Sequence, residues 1–437
     1  MPMPPAPPGA LACQRDSSLR SLRTCIYSLR ELVAPSLKTA EAQRVYEIEL
    51  HDTVLFPEGG GQPCDVGNID GIPVDQVYVK NGRCLHRVTL KDGIQMSFEE
   101  GQEVLINVNW TRRFDHMQQH SAQHLFSAIA HKYGYNTTTW SLGEERCNVE
   151  LVPIASCISS ANGIIETEEK SISADVLQKI EEGANTAIAA GLAMTPSFAK
   201  PGTEEWNKIA MKFEPGHIPK AMRIVTIDGL DVNPCCGTHV QNLSQLGSLR
   251  LLNTEFTRKA SRIWFVAGAR VNREFSRMFK NEFAMTKLLS TAPEDHASRV
   301  ERLLYFQKSA TKELKNLQKE LASFIARDLV ARTGEGVITY HRDDGDLGFL
   351  QTLHSSLGNA KNDALFILTA GELREEGLFL LAGPSKFISQ HGKAVLPLID
   401  GKGGGGKNGI IQGKAKNLAN IGALAAKLQE LRLQEEL

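Results

Sequence analysis

From residue 44 the chain alternates. VYEIELHDTVLF puts apolar side chains at close to every second position and then runs into PEGGGQP, a cluster that forces a turn. Shorter segments of the same kind follow, PVDQVYVK, LHRVTL and EVLINVNW, separated by Gly, Asn and Asp; they predict a small sheet or barrel up to about residue 110. The period then changes. In FDHMQQHSAQHLFSAIAHKYG (114–134), Ala122, Leu125, Phe126, Ile129 and Ala130 recur at spacings of three and four, one apolar stripe of a helix. At 100° per residue His120 and His124 fall almost opposite the centre of that stripe, facing a cleft or a second layer. A further helix is predicted over 174–191. MRIVTIDGLDVNP reads as a strand entering a turn, and GSLRLLNTEF and SRIWFVAGAR as two more strands, closing an α+β region near 270.

Residues 272–333 are charged and nearly free of Gly and Pro. Val300, Leu303, Leu304, Leu314, Leu317, Leu321 and Phe324 fit a helical seam, which predicts a helical spacer, with hairpin or coiled coil as variants. The last hundred residues read as another α/β unit, with strands VITYHR, ALFILTA and LFLLAG, the stretch IDGKGGGGKNGIIQGKAK, and a closing helix. The fold class predicted is α+β. It comprises a weakly ordered segment (1–40), a β-rich, barrel-like subdomain (41–110), an α+β core (111–270), a helical linker (271–333) and a C-terminal α/β domain (334–437). The proline-rich start MPMPPAPPGAL predicts a disordered tail and lacks the pattern of a signal peptide.

Charge adds an exclusion. The formal net charge is −1, so no global field points to nucleic acid or membrane, and any nucleic-acid surface must be a local patch. No apolar run reaches the roughly 20 residues of a membrane helix. Eight cysteines in 437 residues are too sparse for a disulfide framework. A reducing cytoplasm fits, and there a cysteine-containing cluster reads as a metal site.

Two clusters supply that chemistry. His116, His120 and His124 recur every four residues on one helix face. Far downstream, NPCCGTHVQN (233–242) holds a Cys-x-x-x-His pair. Two histidines and this pair make four N/S ligands, which is zinc chemistry by ligand type. The zinc-protease pattern H-E-x-x-H is excluded, because Met117 stands where its glutamate would be.

HSAQHL (120–125), CCGTHV (235–240) and PEGGGQPCDVG (57–67), in this order, resemble the motifs of alanyl-tRNA synthetase editing domains and their free-standing AlaX relatives. The resemblance spans roughly residues 45–270, and GKGGGGKNGIIQGKA resembles the C-terminal domain of the same synthetases. No synthetase catalytic domain is matched, so the resemblance implies a chain that hydrolyses and does not charge. It implies one zinc ion per chain, held by His120, His124, Cys235 and His239. It leaves His116 to a supporting or surface position and Cys236, one residue short in spacing, as a bystander.

Its implied substrate is mischarged tRNA(Ala), chiefly Ser-tRNA(Ala), with tRNA(Thr) carrying serine as the alternative. A non-catalytic tRNA- or protein-binding module is the other. A site shaped for alanine rejects serine poorly, so a second sieve is needed. Thr53 corresponds to the family threonine that reads the serine hydroxyl; Gly59, Gly60, Gly61 and Gln62 are expected to line the ester pocket. Four protein ligands describe a closed zinc site, whereas catalytic zinc keeps an open position. Either a ligand is displaced, the coordination expands, or zinc organises the site; no catalytic base is assigned.

The tail matches GxxxxGK, but Asn408 replaces the Ser or Thr that holds magnesium, which excludes a nucleotide-hydrolysing P-loop. Lys402, Lys407, Lys414 and Lys416 form a local positive patch on flexible backbone, suited to the phosphates of tRNA.

Overall fold

A computed structural model of the chain describes residues 4–32, 44–90, 96–154, 172–203, 206–207, 209, 222–256, 260–373, 375–406 and 408–436. The chain divides into two compact units, Met1–Asn281 and Glu282–Leu437.

The first unit opens with a short helix, α1 (Ala12–Arg15), and a seven-stranded antiparallel sheet. Its strands are β1 (Ser21–Leu32), β2 (Arg44–Leu50), β3 (Gly67–Ile69), β4 (Ile72–Val74), β5 (Gln76–Lys80), β6 (Arg83–Leu90) and β7 (Glu103–Val108). The spatial order is β4-β3-β7-β1-β2-β6-β5, and β4 also touches β6, so the sheet nearly closes on itself. Ile26, Ile48, Leu55, Val88 and Ile106 fill its interior.

The N-terminal segment departs from expectation. Residues 11–32 are not weakly ordered: Leu11, Ala12 and Cys13 are buried, and β1 lies between β2 and β7, hydrogen-bonded to both. Only Thr24 and Ile26 of β1 are buried, so side-chain patterning carries little signal. Backbone pairing on both edges fixes this strand.

The rest of the unit contains α2 (Trp110–Lys132), β8 (Tyr135–Leu142), β9 (Cys147–Pro153), α3 (Ala174–Ala190), β10 (Met194–Ala199), β11 (Met222–Ile227), β12 (Asp231–Pro234), β13 (Leu249–Phe256) and β14 (Ser261–Ala267). The strands form two antiparallel sheets, β10-β11-β12 and β13-β14-β9-β8. Asn109 caps α2 by accepting from the Arg112 amide at 3.1 Å. The α2 stripe, with Leu125, Phe126 and Ile129, packs against Val149, Ile180, Phe265 and Val240. The opposite, polar face of α2 is buried too, which brings its histidines inside the unit. The unit boundary falls within α4 (Ala269–Leu289).

The second unit contains α5 (His296–Ala331), β15 (Val337–Arg342), α6 (Leu347–Ser356), β16 (Leu365–Ala370), β17 (Gly377–Ala382), α7 (Ser385–His391), β18 (Gly401–Gly405), β19 (Ile410–Ala415) and α8 (Ile421–Glu436). Its sheet runs β15-β16-β17-β19-β18, with β15 and β16 parallel and the rest antiparallel. β16 is buried throughout because it is covered on both faces: Phe366 and Leu368 enter one core cluster, Leu365 and Ile367 the other.

The glycine run is a strand rather than flexible backbone. Gly401–Gly405 pairs with β19, and a Cβ on Gly413 would lie 2.0 Å from the Lys402 carbonyl oxygen. The next element is a strand, β19. Leu303, Leu304, Leu314, Leu317, Leu321 and Phe324 of the proposed seam are exposed; α5 buries Ala322, Ala326 and Leu329 instead. Among the described residues no helix is long and apolar enough to cross a membrane.

Candidate metal centre and the cavity beside it

α2 supplies His120 and His124 one turn apart. β12, paired with β11, delivers the loop that begins at Cys235, whose amide donates to the Arg223 carbonyl at 3.2 Å. The ligating atoms of His120, His124, Cys235 and His239 all lie within 4.8 Å of one another. Cys235 Sγ is 3.4 Å from His120 Nε2 and 3.2 Å from His239 Nε2. A tetrahedral zinc with Zn–N of about 2.0 Å and Zn–S of about 2.3 Å has an S···N edge of roughly 3.5 Å. The two Cys235 spacings therefore suit a zinc ion, and His₃Cys is a zinc donor set.

The surroundings aim the ligands. Gln62 Oε1 accepts from the Thr238 amide at 3.0 Å and lies 2.9 Å from His120 Nδ1, so Nδ1 carries the proton and Nε2 turns its lone pair toward Cys235. Gln62 Nε2 donates to Thr238 Oγ1 at 2.8 Å. Ser121 Oγ accepts from the Val240 amide and lies 3.4 Å from His239 Nδ1. Burial disfavours the imidazolium form, holding His124 down at about 4 and His120 and His239 well below their ordinary value. All three are neutral and free to ligate near pH 7. Burial also pushes the Cys235 thiol up to about 11, so a cation binding there releases a proton.

Gly237 is where this arrangement is tightest. A Cβ there would lie 2.2 Å from the His120 ring and 2.9 Å from Gln62 Oε1. Gly237→Ala is expected to displace both and weaken zinc binding by about 10–100-fold, the usual cost of disturbing a ligand's support. Competition with a chromophoric chelator measures this directly.

A cavity of about 660 Å³ opens beside the ligands, lined in part by His120, His124, Cys235, Trp140, Thr137 and Arg223. Trp140 packs on His120 with ring centroids 4.6 Å apart, and Gly61 lies so close that a Cβ would meet the Trp140 ring at 2.7 Å. Of the glycine motif, Gly60 lines this cavity, while Gly59 and Gln62 close the turn by mutual backbone hydrogen bonds. Asp65, just after the turn, forms a fully buried ion pair with Arg113 of α2.

Thr53 is buried, and its hydroxyl already has partners. It accepts from the Leu55 amide at 3.0 Å and lies 2.8 Å from His86 Nε2. Since His86 Nδ1 faces the Ile48 carbonyl, Nε2 is the acceptor and Thr53 the donor. Cys236 lines the cavity but lies outside the ligand cluster. His116 is buried rather than at the surface, in a separate groove with Asp115 and Arg270. Lys402 and Lys414 face each other across the β18–β19 hairpin, with Lys414 bound to Glu376 at 2.6 Å; Lys407 lies outside the described residues.

Sequence reasoning missed Trp140, His86 and Arg223. Arg223 left a trace: a charged residue inside the apolar strand MRIVTI.

Residues 222–267, which contain Cys235 and His239, match the family described as the threonyl and alanyl tRNA synthetase second additional domain. The chain is 34% identical over 426 residues to alanyl-tRNA editing protein Aarsd1 of Danio rerio, covering 96% of this chain and 97% of that protein. It is 35% identical over 427 residues to Aarsd1 of Rattus norvegicus, covering 96% and 98%. It is also 24% identical over 416 residues to alanyl-tRNA editing protein AlaX-L of Pyrococcus horikoshii, covering 90% and 95%. With the motifs, the ligand cluster and near-full-length similarity in agreement, the chain belongs to the alanyl-tRNA editing protein family.

Proposed function

We propose that the chain is a zinc-dependent hydrolase that acts in trans on mischarged tRNA(Ala), chiefly Ser-tRNA(Ala), in the cytoplasm, and has no charging activity. The observation that carries this reading is the gathering of four N/S ligands beside an open cavity in a chain of this family. A binding module has no chemical need for such a cluster. Bound zinc would supply polarisation of the ester carbonyl or an activated water.

The protein's own groups do the rest. Gln62 holds His120 in the ligating tautomer. Gly60 and Gly61 let the backbone and Trp140 border the space for the terminal aminoacyl-nucleotide. We assign the serine check to Thr53, which is buried and not among the residues lining the cavity. Its hydroxyl donates to His86 and accepts from Leu55, which leaves one acceptor lone pair for a serine hydroxyl that reaches it and offers alanine nothing. Lys402, Lys407 and Lys414 are assigned to the tRNA phosphates.

The test is hydrolysis of Ser-tRNA(Ala), Ser-tRNA(Thr) and Ala-tRNA(Ala) by purified protein. Serine release from tRNA(Ala) is expected to exceed alanine release by roughly 5–150-fold, the worth of one buried hydrogen bond of about 1–3 kcal/mol. Faster release from tRNA(Thr) would reassign the tRNA. No release from any of them by folded, zinc-loaded protein would overturn the enzyme reading.

A further inference from the structure

Arg223 is one of the few arginines the fold buries, at 5% exposure, and it is held on two sides. Its Nε donates to the Gln14 carbonyl at 2.9 Å and its Nη1 to the Cys235 carbonyl. Its own carbonyl accepts from the Cys235 amide. The guanidinium is thus locked in place against the backbone of a zinc ligand. The remaining terminal nitrogen, Nη2, is buried and has no hydrogen-bond partner among the described residues. Arg223 also lines the cavity shared by His120, His124 and Cys235.

A buried donor of a charged group left unpaired is costly, and one that borders a cavity calls for a partner from outside the chain. Bracing the Cys235 loop requires only Nε and Nη1. The free nitrogen has no part in that brace.

We infer that Arg223 Nη2 is the oxyanion-binding group of this site, taking the carbonyl oxygen of the aminoacyl ester as negative charge develops on it. This rests on the hydrolase reading above. In the step, a water oxygen bonds to the ester carbonyl carbon and gives up a proton, and the C=O π pair moves onto the carbonyl oxygen, which Arg223 holds. When the pair returns, the bond to the ribose oxygen breaks and that oxygen takes a proton. The products are a free amino-acid carboxylate and a terminal ribose hydroxyl, with one proton released overall. Arg223 keeps its own proton throughout, as guanidinium does in proteins. Its rigidity is what makes it effective: a donor already aimed needs no reorganisation when the charge appears.

The experiment compares wild type, Arg223→Lys and Arg223→Ala on Ser-tRNA(Ala), with zinc content and thermal unfolding measured on the same samples. Both variants, which also lose the brace on the Cys235 loop, are expected to bind zinc more weakly but to load fully when zinc is in excess, and to keep KM for the tRNA within about threefold. The expected fall in kcat is about 10²–10³-fold for Arg223→Ala, the range for loss of one oxyanion donor. Millimolar guanidinium ion added to Arg223→Ala should restore at least part of the lost kcat and leave the wild type unchanged. Retention of kcat by zinc-loaded Arg223→Ala would overturn the inference. So would a kcat loss that follows zinc loss in proportion, because Arg223 would then be only a brace for Cys235. Inactive wild type would overturn the hydrolase reading itself, so the two failures are distinguishable.

Discussion

Cys235→Ala should lose its zinc and, with it, hydrolysis of Ser-tRNA(Ala), while remaining folded. Disturbing a group that merely supports a ligand weakens metal affinity about 10–100-fold, so deleting the only thiolate should cost more than about 100-fold. With zinc bound, the Cys235 thiolate would also be the only anionic ligand in the set, since a ligating imidazole is neutral. The fold is expected not to depend on the ion in the way a zinc finger does. The cluster is bordered by apolar packing that includes Leu125, Phe126, Val149, Val240 and Phe265, independent of any metal. Zinc per chain by plasma emission, circular dichroism and deacylation on one preparation test all three statements. A variant that keeps stoichiometric zinc would show that Cys235 is not a ligand.

Asp65→Ala should be the most destabilising single change near the site, by about 3–5 kcal/mol, the usual cost of leaving one partner of a buried ion pair alone. Asp65 and Arg113 are both fully buried. Arg113 Nε donates to Asp65 Oδ2 at 2.9 Å, Nη1 donates to the Ser17 carbonyl at 3.1 Å, and Nη2 contacts Asp65 and the Val54 carbonyl. Asp65 Oδ2 also accepts from the Phe56 amide at 2.7 Å. One ion pair therefore fastens the segment after α1, both sides of the glycine turn and α2. Its loss should loosen Gln62 and so His120, lowering zinc affinity as well as stability. Asp65→Ala/Arg113→Met, which removes the orphaned charge, should recover part of the stability. Urea unfolding monitored by tryptophan fluorescence measures it, and equal stability of the single and double variants would refute this account of the pair.

How much of this was legible beforehand depended on the kind of signal. The strands after residue 44 and helix α2 announce themselves by period, and α2's histidines and the CxxxH pair by ligand type. β1 did not, because its place is fixed by backbone hydrogen bonds to β2 and β7 and little by side-chain burial. The glycine run at 401–405 looked like a loop, since strand propensity is a property of side chains and glycine has none to show; pairing with β19 decides it. In the site, chemistry-bearing residues clustered along the sequence were found. Those brought in singly from elsewhere, Trp140 from β8 and Arg223 from β11, were not. His86 was missed for the same reason: it meets Thr53 only across the fold.

On the proposed function, hydrolysis by this chain depends on zinc held by the four-ligand cluster. The most direct measurement is single-turnover release of serine from Ser-tRNA(Ala) by chelator-stripped protein, before and after one equivalent of zinc is returned. Release is expected only after zinc is restored, with saturation at one zinc per chain and Cys235→Ala unresponsive. Equal release by the stripped and the reconstituted protein, with the stripped sample confirmed free of metal, would contradict it.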